Sequence, residues 1–338
     1  MKKAFFFVVL FALLCASCAS ATAFEIHFID VGQGDSALVL CDGQAMLIDG
    51  GDSEDSSLIY SYLKKHGVAH LDYIVATHAH EDHVGGLAGA LNYATVDTAY
   101  CSVTSFDNEG FAAFEKYLGK QNVSITVPSA GDTFTLGGAS VEILAPIKTA
   151  TKHNDNSIVL RIVYGDTSFL FTGDAEREEE HSILDANGTI QSTVLKVGHH
   201  GSDTSTTSAF LRAVKPAYAV ISVGKDNPYD YPSESTLDNL SAAGVRAFRT
   251  DMQGTIICTS DGKTVTFVAE KNQDADTVPA KQDTTEGEDY VLNTNTKKFH
   301  YPTCKSVKQM KEKNKAEYTG TREELINRGY SPCGNCKP

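Results

Sequence analysis

Cationic side chains are scarce in this sequence. Lys and Arg number 29 against 43 Asp and Glu, for a net charge of -14. That balance excludes bulk electrostatic attraction to nucleic acid as the basis of function. The run Ala4–Leu14 is apolar throughout but only eleven residues long, too short for a stable transmembrane helix. Following Met1-Lys2-Lys3, it reads as a secretory signal covering residues 1–23, with a small-x-small cleavage site at Ala21-Thr22-Ala23. The alternative is a degenerate lipobox, Cys15-Ala16-Ser17-Cys18, which would leave a lipoprotein anchored through Cys18. A released, extracellular protein is the favoured reading. A full disulfide framework is missing as well. Cys41, Cys101 and Cys258 form an odd set in apolar strand contexts and are expected as buried thiols. No Ser or Cys nucleophile stands out. Wholesale disorder is excluded by a hydrophobic content of 41%, and 338 residues suit one large domain plus a small module.

The densest chemistry lies in Thr77-His78-Ala79-His80-Glu81-Asp82-His83-Val84-Gly85-Gly86. The run Leu71–Ala76 before it is rich in Val, Ile and Tyr and predicts a buried strand. The three histidines and the aspartate then fall on the loop at the strand's carboxyl end, with a helix starting near His83. Imidazole and carboxylate are the ligands of borderline divalent cations such as zinc or manganese. Crowding four of them together without a cation is costly.

Strands are expected at Phe24–Ile29, Ser36–Cys41 and Ala45–Ile48, and a helix over Ser53–His66. Further strands are expected at Thr95–Ser102 and Val123–Val127, with a helix at Phe111–Gly119 between them. Hairpins follow over Thr133–Leu144 and Ser157–Phe171. Strands at Ser192–Val197 and Ala217–Val223, a helix at Glu234–Ala243 and three short strands through Glu270 complete an α/β domain over residues 24–270. Gly32-Gln33-Gly34 follows a strand but opens no helix, so it is not a dinucleotide fingerprint. Asp174 ends a strand before Ala175-Glu176-Arg177-Glu178, and His199-His200-Gly201-Ser202 follows another, at the strand ends where sites on α/β folds collect.

Together these motifs resemble those of metallo-β-lactamase-fold hydrolases, and more closely the hydrolase domain of the competence protein ComEC. The resemblance is carried by Phe28–Ser36, Leu47–Gly51, His78–Gly86, Phe171–Asp174 and Lys196–Ser202, in the family's order. It implies a four-layer αββα sandwich and a site for two divalent metals, Zn or Mn. By the resemblance, His78 and His80 bind the first metal, Asp82 and His83 the second, and Asp174 bridges them. One of His199 and His200 closes the second site; which one stays open, the other acting as a supporting or substrate-contacting residue. Asp35 and Asp49 are expected in supporting roles, and Ser202 in a supporting or substrate-contacting one.

There are two departures. Where the wider fold has a His before the bridging aspartate, this chain has His153-Asn154-Asp155-Asn156-Ser157, and the resemblance puts Asn154 or Asp155 nearest the site. Tyr231 stands where the related segment carries a His before Pro; like Asn154 and Asp155 it is expected in a supporting or substrate-contacting role, and the change bears on rate or substrate choice.

Residues 271–289 are polar, acidic and without aromatics, and read as a flexible linker. The module after it, residues 290–338, carries ten Lys and Arg against four Glu and no Asp. His300-x3-Cys304 and Cys333-x2-Cys336 have the spacing of a tetrahedral zinc site. A disulfide, Cys333–Cys336 or Cys304–Cys336, is the rival in an exported chain. The flanks, Phe299–Cys304 and Gly329–Cys336, resemble the zinc-binding domain of the Ada DNA-repair protein. That family has a methyl-accepting Cys where His300 stands, so the resemblance implies a fold and one structural Zn but no methyl transfer. The basic charge suits contact with DNA or an anionic cell wall.

The resulting expectation is an exported, monomeric, metal-dependent hydrolase that cleaves phosphodiesters, with DNA as substrate and Asp82, His199 or His200 as proton carriers. The alternatives are a cell-wall phosphodiesterase of the phosphocholine type and a surface-binding protein with a vestigial metal site.

Overall fold

The computed structural model describes residues 24–148, 150–186, 188–278, 288–336 and 338. The expected signal segment, with Cys18, lies outside them, as do residues 279–287 of the expected linker. Among the described residues no helix is long and apolar enough to cross a membrane. The chain divides into two compact units at residues 280 and 281.

The larger unit is built on two sheets. The first has eight strands in the order Val265–Ala269, Ile256–Ser260, Phe24–Phe28, Ala37–Cys41, Gln44–Ile48, His70–Ala76, Thr95–Cys101, Ile125–Thr126. The second has seven, in the order Arg246–Arg249, Tyr218–Ile221, Val194–Lys196, Thr167–Phe171, Val159–Tyr164, Ala139–Ala145, Thr133–Leu136. In each sheet an antiparallel half passes into a parallel half.

Alternation sends one set of side chains from each sheet inward, where the two sets form a common core. Phe24 stacks on Phe169 with centroids 4.9 Å apart, and Phe28 on Phe171 at 5.8 Å. The outward set of the first sheet, including Leu38, Leu47 and Ile74, packs under helices Ser56–His66, Leu87–Tyr93 and Glu109–Lys120 through Ile59, Leu63, Leu87, Phe111 and Phe114. On the second sheet Leu170, Leu195 and Ala219 pack under helices Arg177–Asp185, Ser208–Val214 and Glu234–Ala242 through Ile183, Phe210, Leu211 and Leu240. Three apolar layers between four layers of structure make the αββα sandwich.

Most element boundaries lie within a few residues of the sequence expectation. Helix Ser208–Val214 is a difference. The sequence reading assigns no element between Ser202 and Ala217, and there the Thr207 side chain accepts from Phe210 N–H and starts the helix. The polar stretch after Ala269 is tied to the larger unit as far as Thr277. Ala269 N–H donates to Gln273 Oε1 at 2.6 Å, and the buried Thr277 hydroxyl donates to Ala247 O at 2.6 Å.

The smaller unit is a four-stranded sheet ordered Lys315–Gly320, Glu288–Asn293, Lys298–His300, Ser331–Pro332. Among the described residues its buried apolar core is Tyr290, Leu292, Phe299 and Leu325.

Candidate metal centre

Strands from both sheets deliver their carboxyl ends to one place. Asp49 follows Gln44–Ile48, and His78 follows His70–Ala76. From the second sheet come Asp174 after Thr167–Phe171, His199 and His200 after Val194–Lys196, and Ser222 after Tyr218–Ile221. The histidine loop is held against the Asp49 turn. Gly50 N–H donates to His83 O at 2.7 Å, and a Cβ on Gly86 would stand 2.0 Å from Gly50 O. Only paired glycines allow this approach. His199 and His200 both adopt left-handed backbone, φ 49° and 52°, which costs energy in residues with a Cβ. The turn is held by His199 N–H to Gly173 O at 3.0 Å and Gly198 N–H to Thr206 Oγ1 at 3.1 Å.

The two carboxylate oxygens of Asp174 face different partners. Oδ1 lies 3.3 Å from His83 Nε2 and 3.7 Å from His200 Nε2. Oδ2 lies 3.9 Å from His78 Nε2 and 3.6 Å from His199 Nε2. His80 joins the Oδ2 group, its Nδ1 being 3.0 Å from His78 Nε2. Asp82 joins the Oδ1 group, its Oδ2 being 3.2 Å from His200 Nε2 and 3.9 Å from His83 Nε2. His78, His83, His200 and Asp174 are buried, His80 is half-buried, and Asp82 and His199 keep side chains 34% and 19% exposed. His200 therefore stands with Asp82 and His83, and His199 on the opposite side of Asp174.

A second ring of contacts orients this cluster. Asp49 Oδ2 is 3.0 Å from His83 Nδ1 and also accepts from the Thr77 hydroxyl at 2.7 Å. His200 Nδ1 is 3.1 Å from Ser222 O and 3.2 Å from Asp35 Oδ1. With Nδ1 engaged in both rings, Nε2 is turned toward the cluster. Asn154 Nδ2 lies 3.5 Å from His199 Nε2. Asp155 sits one step back, accepting from Glu176 N–H at 2.9 Å. Ser202 is buried; its N–H donates to His199 O at 2.8 Å, and its hydroxyl meets Thr204, whose Oγ1 is 3.0 Å from Ser202 Oγ and 3.2 Å from His199 Nδ1. Tyr231 meets the His199 ring edge-on, centroids 5.7 Å apart. His153 flanks His80 with ring centroids 5.9 Å apart.

Thr77, Glu176 and Thr204 have roles that sequence reasoning missed, and so does Lys196. Lys196 Nζ is buried 2.8 Å from Asp35 Oδ2 and donates to Val197 O at 2.9 Å. A lysine inside the apolar run Val194-Leu195-Lys196-Val197 was the available signal, since a buried ammonium requires a partner.

The cluster demands positive charge. Burial pushes the His78 pKa well below its ordinary value. Burial acts on His83 the same way, but Asp174, Asp82 and Asp49 outweigh it and hold its pKa well above normal. Burial is likewise overcome at His200, which Asp174 and Asp35 raise to about 10. Asp35 is held at about 2 against its own burial, by Lys196 and His200. His83 Nε2 and Asp174 Oδ1 face each other while buried, and neither has a hydrogen-bond partner. Two inward-facing donor atoms of this kind, in a set of imidazoles and carboxylates, fit divalent cations. His78, His83 and Asp174, and separately Asp82, His83 and His200, bring ligand atoms within 4.8 Å of one another.

Lys196→Met strands the buried Asp35 carboxylate. The expected result is a loss of roughly 3 kcal/mol or more of unfolding free energy, read by urea denaturation, with part of the loss recovered in the Lys196→Met/Asp35→Asn double variant. A single variant within ~1 kcal/mol of wild type would show that the pair holds nothing together.

In the smaller unit, His300, Cys304, Cys333 and Cys336 bring one ligand atom each within 4.8 Å of one another. Both ring nitrogens of buried His300 lack hydrogen-bond partners. Asn335 N–H donates to Cys333 Sγ at 3.4 Å. Burial raises the Cys333 pKa, but N–H groups of Asn335 and Cys336 outweigh it and favour the thiolate. The six cysteines among the described residues are all free thiols.

Comparison with known proteins identifies the family. Residues 29–225 match the family described as the metallo-beta-lactamase superfamily. ComE operon protein 3 of Bacillus subtilis is 31% identical over 73% of this chain and 34% of its own length. Competence protein ComA of Neisseria gonorrhoeae is 34% identical over 67% of this chain and 31% of its own. Recombination protein 2 of Haemophilus influenzae is 32% identical over 68% and 28%. The chain thus spans about a third of the curated relatives it matches. The metallo-beta-lactamase fold protein YhfI of Bacillus subtilis superposes with a TM-score of 0.48 at 12% identity, over 70% of this chain and 100% of that one. With its mixed α/β sandwich and a match over more than half of its length, the chain belongs to the metallo-beta-lactamase superfamily of metal-dependent hydrolases and is ComEC-like within it.

Proposed function

We propose that this protein is an exported, monomeric phosphodiesterase that hydrolyses DNA at a site for two divalent cations, zinc or manganese. The observation that carries this reading is the division of the cluster by Asp174. One oxygen faces His83 and His200 with Asp82, and the other faces His78 with His80. A first cation would be held by His78, His80 and Asp174, and a second by Asp82, His83, His200 and Asp174. Such a pair, when bound, polarises a phosphoryl group and activates water at neutral pH. Asp49 and Asp35 keep the His83 and His200 rings in their ligating orientation. The partly exposed Asp82 carboxylate accepts the proton of the attacking water. His199, partly buried beside Asp174, delivers a proton to the leaving oxygen. Relatives named for competence and recombination support DNA as the substrate. In this proposal His300, Cys304, Cys333 and Cys336 hold one structural zinc, and the basic surface around them contacts DNA or the cell wall. The basic and apolar start of the chain supports export.

The test uses purified protein from residue 24 onward, beside His80→Ala, with linear single- and double-stranded DNA and a small chromogenic phosphodiester in Mn²⁺, Mg²⁺ or Zn²⁺. The expected outcome is metal-dependent DNA loss that disappears in the variant. Cleavage of the small ester alone would replace the nuclease with a cell-wall phosphodiesterase. No turnover of either by protein shown to hold two cations would overturn the phosphodiesterase reading.

A further inference from the structure

Next to the cluster, the loop between Gly224 and Ser233 carries aromatic side chains that the hydrolytic reading leaves without a task. Tyr231 lies edge-on to the His199 ring, centroids 5.7 Å apart. Tyr229 stacks on Tyr231 at 5.5 Å with an interplanar angle of 23°. Tyr229 is 61% exposed. A single exposed tyrosine means little, but this one ends a series of rings that begins at the candidate cation site.

The loop is built to hold the series in place. Asn227 closes it from within. Its Nδ2 donates to Gly224 O at 2.9 Å and Tyr231 O at 2.7 Å, while its Oδ1 accepts from Tyr229 N–H and Tyr231 N–H at 3.1 Å each. Gly224 N–H donates to Gln33 Oε1 at 3.1 Å and Ser233 N–H to Gly201 O at 2.8 Å, fastening both ends. A Cβ on Gly201 would stand 2.5 Å from Pro232 Cβ, so the loop rests directly on the turn that carries His199 and His200. A rigid aromatic surface costs little to order on binding. Its local charges do not favour phosphate: Asp226 and Asp230 flank it against Lys225. A flat, uncharged ring is the group that such a surface takes.

We infer that Tyr229 and Tyr231 form a stacking platform for the nucleobase beside the scissile phosphodiester. Single-stranded nucleic acid is then the preferred substrate, because bases in a duplex are already stacked and a base-free phosphodiester offers nothing to the platform. This rests on the phosphodiesterase reading and adds to it the substrate's form.

The experiment compares a short single-stranded oligonucleotide with one of equal length built from abasic residues, using the full chain, Tyr229→Ala and Tyr229→Phe. Wild type is expected to favour the base-bearing oligonucleotide about tenfold in kcat/KM, mostly through KM, as one stacked base would give. Tyr229→Ala should lose that preference and Tyr229→Phe keep it. The same preference in Tyr229→Ala as in wild type would overturn the platform while leaving the phosphodiesterase standing. If wild type cuts neither oligonucleotide, the nuclease reading fails, and anisotropy titrations of both oligonucleotides decide the platform. Weaker binding of only the base-bearing oligonucleotide by Tyr229→Ala would support the platform, and equal binding would overturn it.

Discussion

Asp174→Asn is expected to lower turnover by ~10³-fold or more and to cost the site at least one of its two cations. Loss of one preorganised electrostatic contact typically costs ~10²–10³ in rate, and Asp174 serves both halves of the cluster. The substitution keeps size and shape. It replaces one oxygen by an amide nitrogen, which donates hydrogen bonds and cannot ligate. Whichever way the amide turns, one half loses its ligand: the half of His83 and His200, or that of His78. Metal content by emission spectrometry and single-turnover kinetics read the two effects separately. A carboxylate that merely terminates the strand Thr167–Phe171 predicts another result, with cation content and rate near wild type. That outcome would remove Asp174 from the centre.

How far the centre was legible depends on the sequence separation of its parts. His78, His80, Asp82 and His83 lie within six positions, so residue chemistry alone marks them. Asp174 and the His199-His200 pair are remote from that loop, and only the family resemblance joined them to it. The choice between His199 and His200 was out of reach, because it turns on two successive left-handed residues that send the rings to opposite sides of Asp174. Lys196 and Asp35 were not paired in advance. Each looked like a local feature, and their contact joins the two sheets. Strand positions followed from alternation, whereas sheet order did not. The pairing of Phe24–Phe28 with Ile256–Ser260 joins residues from opposite ends of the unit's sequence, and no local pattern encodes that. Helix Ser208–Val214, to which the sequence reading assigned nothing, starts at Thr207, whose capping role depends on one side-chain hydrogen bond.

Removal of one ligand from the smaller unit is expected to unfold that unit and leave the larger one intact. Tyr290, Leu292, Phe299 and Leu325 are its only buried apolar cluster among the described residues. A core of that size does not hold so short a segment folded without a staple. The candidate staple is the set His300, Cys304, Cys333 and Cys336. Zinc at such a site contributes apparent free energies of ~10 kcal/mol or more in small modules. Cys304→Ala should therefore release one zinc per chain and open the segment from residue 288 onward to limited proteolysis, while fragments from the sandwich stay resistant. Chelation of the wild-type protein should do the same, and reductant should do nothing. The opposite pattern, protection lost with reductant and kept with chelator, would replace the zinc with a disulfide. The orphaned nitrogens of buried His300 favour the cation. A disulfide among Cys304, Cys333 and Cys336 would leave both without a partner, whereas a cation ligated by His300 takes up one of them.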